Sequence, residues 1–205
     1  MFMSRVKLDT MRQATRRAVS SPQILHAALE RCFFEHGRTL WRLDYYGGCL
    51  YMIAISKERP DFTSFTPQFC ADGESVEIKD YISFLSSLKE GQRLRFRFKG
   101  NPVHSVPEEK GLRGKVYAHV TSHHKNEWML KKSISNGFLL TEGRFDMVET
   151  GQMRFFRESK PVILTYAIFE GELVISEIEV FLKALTQGIG RAKAYGCGLM
   201  TVGKI

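Results

Sequence analysis

A chain of 205 residues has room for one large domain or two of about 100 residues each, and 43% apolar content excludes a disordered polymer. The formal net charge of +8 and the pI near 9.4 favour anionic partners, nucleic acid first and a membrane surface second. No run approaches the ~20 apolar residues of a membrane span, MFMSRVKLDTMRQ carries no signal-peptide core, and Cys32, Cys49, Cys70 and Cys197 form no CxxC pair; the expectation is a reduced cytoplasmic protein without a membrane anchor.

Phe2 to Leu8 alternates apolar and polar residues and reads as a strand. Ser21-Pro22 is a helix start, because proline fits a first turn whose N–H would be unpaired anyway. Ile24, Leu25, Ala28, Leu29, Cys32 and Phe33 follow at helical spacing until Gly37. Leu40–Asp44 and Cys49–Ser56 read as strands around a Gly47-Gly48 hairpin turn. Ile78–Leu88 has helical spacing, and Gln92–Lys99 is a strand closed by Gly100-Asn101-Pro102. This order is the βαββαβ pattern.

The second half repeats it more loosely. Lys115–Val120 reads as a strand and His123–Ser135 as a helix stopped by Gly137. Phe138–Thr141 and Phe145–Glu149 read as weak strands or part of a long hairpin. Val162–Ile175 is strongly β, with a bulge or turn at Glu170-Gly171. Ser176 stands where it can cap a helix Glu177–Gln187, Gly188 ends it, and Cys197–Val202 is the last strand. The expected class is α+β, with two tandem ferredoxin-like (RRM-like) βαββαβ domains: residues 1–100, a basic linker at 101–114, and residues 115–205.

Four regions bear on chemistry. On the first helix His26 falls off the apolar centre, one turn from Glu30. It reads either as a surface histidine paired at i, i+4 or as a general acid or base. In GQRLRFRFKG, Leu94, Phe96 and Phe98 point one way and Arg93, Arg95, Arg97 and Lys99 the other, which reads either as a solvated face or as a row of like charges that a polyanion would relieve. Further cations follow at Lys110, Arg113, Lys115, Lys131, Lys132, Arg154, Arg157 and Lys160, with Phe155 and Phe156 between them, a mixture suited to RNA, the alternative being ordinary charged surface over two core phenylalanines. The stretch QGIGRAKAYGCGLM follows a helix and precedes a strand, the reverse of a nucleotide-binding glycine loop, so no nucleotide cofactor is expected. Its Gly188, Gly190, Arg191 and Lys193 suit close approach of a phosphate backbone. His119, His123 and His124 lack a metal-ligand spacing, and the acidic residues show no two-metal pattern, so no metal is expected.

Three segments carry a family resemblance. MFMSRVKL…SPQILHAALERCF, GQRLRFRFKGNP and FEGELVISEIEVFLKALTQGIGRAKAYGCGLMTV resemble, in order, segments of the CasE-type CRISPR repeat-processing endoribonucleases of type I-E systems. The resemblance implies two tandem ferredoxin-like domains and binding of the repeat stem-loop in precursor RNA. It further implies metal-independent cleavage at the base of the stem, with the mature guide RNA kept in the Cascade surveillance complex beside its other subunits. His26 matches the family's catalytic histidine. Some members carry a tyrosine three residues earlier, where this chain has Gln23. A catalytically inactive stem-loop-binding subunit of the same fold is the alternative.

Overall fold

The structure, a computed structural model, describes residues 1–35, 37–106 and 115–205. Its first unit runs β1 (Phe2–Leu8), α1 (Gln13–Ser20), α2 (Pro22–Glu30), β2 (Leu40–Tyr46), β3 (Cys49–Ser56), α3 (Thr66–Phe69) and β4 (Glu77–Asp80). The second follows a short helix α4 (Ile82–Ser86) and runs β5 (Arg93–Gly100), a hairpin of β6 (Val103–Val106) and β7 (Lys115–Ala118), α5 (Ser122–Ile134), β8 (Phe138–Arg157), β9 (Lys160–Ile175), α6 (Ile178–Gln187), a 3-10 turn at Lys193–Tyr195, and β10 (Met200–Gly203). The sheets are antiparallel, in the orders β2-β3-β1-β4 and β10-β5-β9-β8. In each, the first and third strands of the unit lie in the middle and the second and fourth at the edges. Two tandem ferredoxin-like units result.

The expected fold holds, but the division of the chain differs. The arginine-rich strand β5 pairs with β9 and β10 and so opens the second unit, Phe98 lying opposite Phe169 on one side and Met200 on the other. The first unit closes instead on β4, which overlaps the start of the segment Ile78–Leu88 expected as a helix. Ile78, Tyr81, Leu85 and Leu88 fit helical spacing, yet the Asp80 carboxylate accepts the N–H groups of Ile82 and Ser83 and starts a five-residue helix there. The change of sheet therefore falls between Asp80 and Arg93. Residues 101–114 are not a linker between the units: β6 lies within them and pairs with β7 inside the second unit. Ser176 does not cap α6, whose N-cap is Glu177. Helix α1, which the sequence does not announce, buries only Thr15 and Ala18.

Two cores hold the units. Leu25, Leu29, Trp41, Met52, Phe65 and Phe69 fill the first, and Phe96, Phe98, Phe138, Phe169, Phe181 and Leu185 the second. Each large side chain contributes roughly 1.5–3 kcal/mol by leaving water. A polar joint locks the units together. Arg42 of β2 is 1% exposed and donates to the carbonyls of Arg97 and Leu199 and to Thr201 Oγ1 in the second unit. Its other donors go to Asp44, which also accepts from Arg97 Nε at 3.0 Å.

Candidate active site

Helix α2 starts at Pro22 and buries Pro22, Leu25, Ala28 and Leu29. With that face fixed, His26 comes to the rim, its side chain 30% exposed. Glu30 follows one turn later, its Oε1 3.8 Å from His26 Nδ1, and both atoms are sealed from solvent without a hydrogen-bond partner among the described residues. One turn earlier, Gln23 Nε2 donates to the carbonyl of Phe156 at 2.6 Å. That bond ties α2 to the end of the β8–β9 hairpin.

The glycine-rich stretch closes the other side. Gly188 ends α6 at φ 74° and ψ 156°, a conformation almost confined to glycine. A side chain there would meet Leu40 of the first unit at 2.6 Å. The chain then runs into the 3-10 turn at Lys193–Tyr195, which packs against α2. Gly196, at φ 76°, lets the backbone lie on the Trp41 ring, which a Cβ would meet at 2.9 Å. The Tyr195 ring packs on Phe155 with centroids 4.8 Å apart, and Arg157 Nη1 donates to the Tyr195 hydroxyl at 3.3 Å. Lys193 Nζ donates to the carbonyl of Gln187, and burial, helped by the Arg38 cation, lowers its pKa.

Helix α2, the hairpin end and the glycine-rich turn thus meet, bringing Arg157 and Lys193 to the borders of the helix that carries His26. Arg191 is exposed on the same turn, and Arg154 and Lys160 are exposed on the same hairpin as Arg157. Gly190 is exposed, with Trp128 beneath it. Phe156 is 66% exposed while Phe155 is core.

The row on β5 is not an open cationic face. Leu94, Phe96 and Phe98 are buried as the alternation requires, but acidic residues of both units pair with two of the four cations opposite. Arg97 pairs with Asp44 and Glu170, and Arg93 approaches Glu172 at 3.9 Å. Lys99 lies over the Tyr166 ring at 4.3 Å, its pKa lowered by burial. With Trp41, Tyr166 and Tyr195 it lines a cleft of about 200 Å³ between the units. Only Arg93 and Arg95 are exposed among the four. Arg95 lines a groove of about 770 Å³ that does not include His26.

Lys131 and Lys132 stand in the last turn of α5, beside a groove with His104, His119 and His124. Lys115 opens β7, and Lys110 and Arg113 lie outside the described residues. The residues missed by sequence are Arg42, Arg38 and Tyr195. Arg42 had a signal: in LWRLDYY, period two puts Arg42 and Asp44 on one face of a strand, a charged pair where a core row belongs.

Fold and site define a double ferredoxin-like protein whose histidine-bearing helix is enclosed by a basic hairpin and a glycine-rich turn. Residues 1–204 match the family described as CRISPR associated protein, and the chain belongs to that family. It is 29% identical to the CRISPR-associated endoribonuclease Cse3 of Thermus thermophilus, across 98% of this chain and 99% of that one. A structure of CRISPR endoribonuclease Cse3 bound to 19-nt RNA is similar at TM-score 0.85 and 26% identity, covering 99% and 100% of the two chains. Thermus thermophilus Cse3 bound to an RNA representing a pre-cleavage complex is similar at 0.83 and 27%, covering 98% of each. Cas6e of Escherichia coli, at 18% identity and TM-score 0.64, shares the fold.

Proposed function

We propose that this protein is an endoribonuclease that binds the CRISPR repeat stem-loop in precursor RNA and cuts at the base of the stem. The mature guide RNA then stays bound to it within a Cascade-type surveillance complex. The observation that supports the reading is His26 at the rim of α2, a helix that Gln23 ties to the hairpin end beside Arg157 and that packs against the turn carrying Lys193. The near full-length likeness to an endoribonuclease that has been captured with RNA supports it.

RNA supplies its own nucleophile, so the chemistry needs no metal. The ribose 2′-oxygen loses its proton, the O2′–P bond forms, the P–O5′ bond breaks, and the departing O5′ gains a proton. The products are a 2′,3′-cyclic phosphate and a 5′-hydroxyl. His26 transfers a proton at one end of this in-line displacement, a contribution of about 10²–10⁴-fold. Arg157, Lys193 and Arg191 hold the phosphate as negative charge builds on it. Arg154 and Lys160 carry the RNA backbone along the hairpin, and Arg93, Arg95, Lys115, Lys131 and Lys132 extend the basic surface.

Labelled repeat RNA in EDTA, with wild type and His26→Ala side by side, tests the reading. Wild type yields one 5′-hydroxyl product, and the variant binds RNA but yields none. Cleavage by the variant would remove His26 from the chemistry, and loss of wild-type cleavage in EDTA would remove the metal-free mechanism. Gln23, in place of a tyrosine found in some relatives, keeps a second reading in view, that of an inactive stem-loop-binding subunit. Tight binding by wild type without product at any pH would select it.

A further inference from the structure

Glu30 and His26 each present a buried, unpartnered polar atom, and each atom faces the other. Glu30 Oε1 and His26 Nδ1 are 3.8 Å apart, beyond hydrogen-bond length. Neither has another hydrogen bond among the described residues. Leaving a buried polar group unpaired costs roughly 1–3 kcal/mol, and more when it is charged. A small side-chain rotation satisfies both atoms at once, because a neutral imidazole carries one N–H and a carboxylate only accepts. Catalytic hydrogen bonds are commonly long in the free enzyme and tighten when substrate binds.

We propose that Glu30 is the positioning residue of the cleavage site. Its carboxylate accepts Nδ1–H of His26, selects that tautomer, and leaves Nε2 as the atom that exchanges a proton with RNA. The inference rests on the assignment of His26 made above. The opposite tautomer would set the Nδ1 lone pair against a carboxylate with no proton between them. Nε2 is free for the role: it makes no hydrogen bond to a described residue and is not among the sealed, unpartnered atoms. Gln23 donates an Nε2–H to the carbonyl of Phe156 and makes no hydrogen bond to the His26 ring. Helical i, i+4 spacing supplies the juxtaposition without any loop. A nucleophile or base held in register by a third group is the arrangement of acid–base catalysis generally.

The test uses the full chain with ¹⁵N-labelled histidine, bound to a repeat RNA that has a 2′-deoxy sugar at the cut and so cannot react. The His26 ring signals are assigned by their loss in His26→Ala. In wild type the ring nitrogens report the Nδ1–H tautomer, and in Glu30→Ala they report a mixture or the Nε2–H form. With cleavable RNA, Glu30→Ala slows single-turnover cleavage about 10- to 100-fold, the range seen when a metal-bound histidine loses the carboxylate behind it, while RNA affinity is unchanged. Glu30→Gln, which keeps an acceptor, recovers part of the rate. If Glu30→Ala fails to fold, Glu30→Met preserves length and helix propensity without an acceptor and is read in the same way. Wild-type rate and an unchanged tautomer in the acceptor-free variant overturn the role of Glu30 and leave His26 in place. Cleavage by His26→Ala overturns the assignment beneath it.

Discussion

Gln23 donates to the backbone carbonyl of Phe156 across 133 residues of sequence, at 2.6 Å. The bond pins the helix bearing His26 to the end of the β8–β9 hairpin, where Arg157 follows. Its net worth in stability is small, about 0.5–1.5 kcal/mol. Its value is in register. We expect Gln23→Ala to lower single-turnover cleavage about 2- to 10-fold while shifting the melting temperature little. A parallel titration of RNA affinity separates positioning from binding.

Substitution at the glycine-rich turn should loosen the packing between the units. Gly188→Ala needs a backbone conformation that costs non-glycine residues roughly 1–3 kcal/mol, and it drives a methyl into Leu40. Gly196→Ala drives one into the Trp41 ring. Both variants should be measurably destabilised in urea. Gly203→Ala, where a Cβ meets nothing within 4 Å, should fall close to wild type.

Arg42→Ala removes one member of a buried ion pair and leaves Asp44 without its main partner. Breaking such a pair typically costs 3–5 kcal/mol, a large fraction of the stability of an ordinary domain. Calorimetry should show a marked fall in melting temperature.

Acid should act through Asp44. Burial opposes its charged form, but the hydrogen bonds and charges of Arg42 and Arg97 outweigh it and hold the carboxyl below its usual value. A depressed folded pKa contributes stability that is fully present above the unfolded value, about 3.9. That stability is lost as pH falls through the folded value. Urea midpoints of wild type should therefore decline below about pH 4, and Asp44→Asn should show less of that decline.

Salt separates the cations. Removing Arg154, Arg157 and Lys160 together should reduce the slope of log affinity against log salt by about 0.7–0.9 for each phosphate no longer neutralised. Arg97→Ala, at a residue already paired with Asp44 and Glu170, should lower stability and leave the salt slope nearly unchanged.

The fold class was legible because two signals are local: hydrophobic period and glycine punctuation. His26 was legible as a candidate for the same reason, since the apolar face of α2 is visible in LHAALE. The assignment of β5 to a sheet was not. Alternation in RLRFRF shows that one face is buried but is silent about which strands lie beside it, and β4, four residues with one half-buried side chain, is too short to register. The partners of Arg97 were hidden too, because Asp44 and Glu170 are distant in sequence. Glu30 lay in plain view at i, i+4. What sequence could not tell is that both facing atoms are sealed, a property of packing alone.

The Arg42 joint bears on how such a protein can evolve or be rebuilt. Its donors reach two carbonyls and a hydroxyl of the other unit, so neither half presents a finished surface by itself. The first half expressed alone would expose a guanidinium and an indole shaped to fit a vanished neighbour. The two similar folds are therefore not exchangeable cassettes: a chimera joining one half to the partner half of a distant relative inherits a lock and a key cut separately, and recombination within this lineage is expected to keep residues 42, 44, 97 and 201 together.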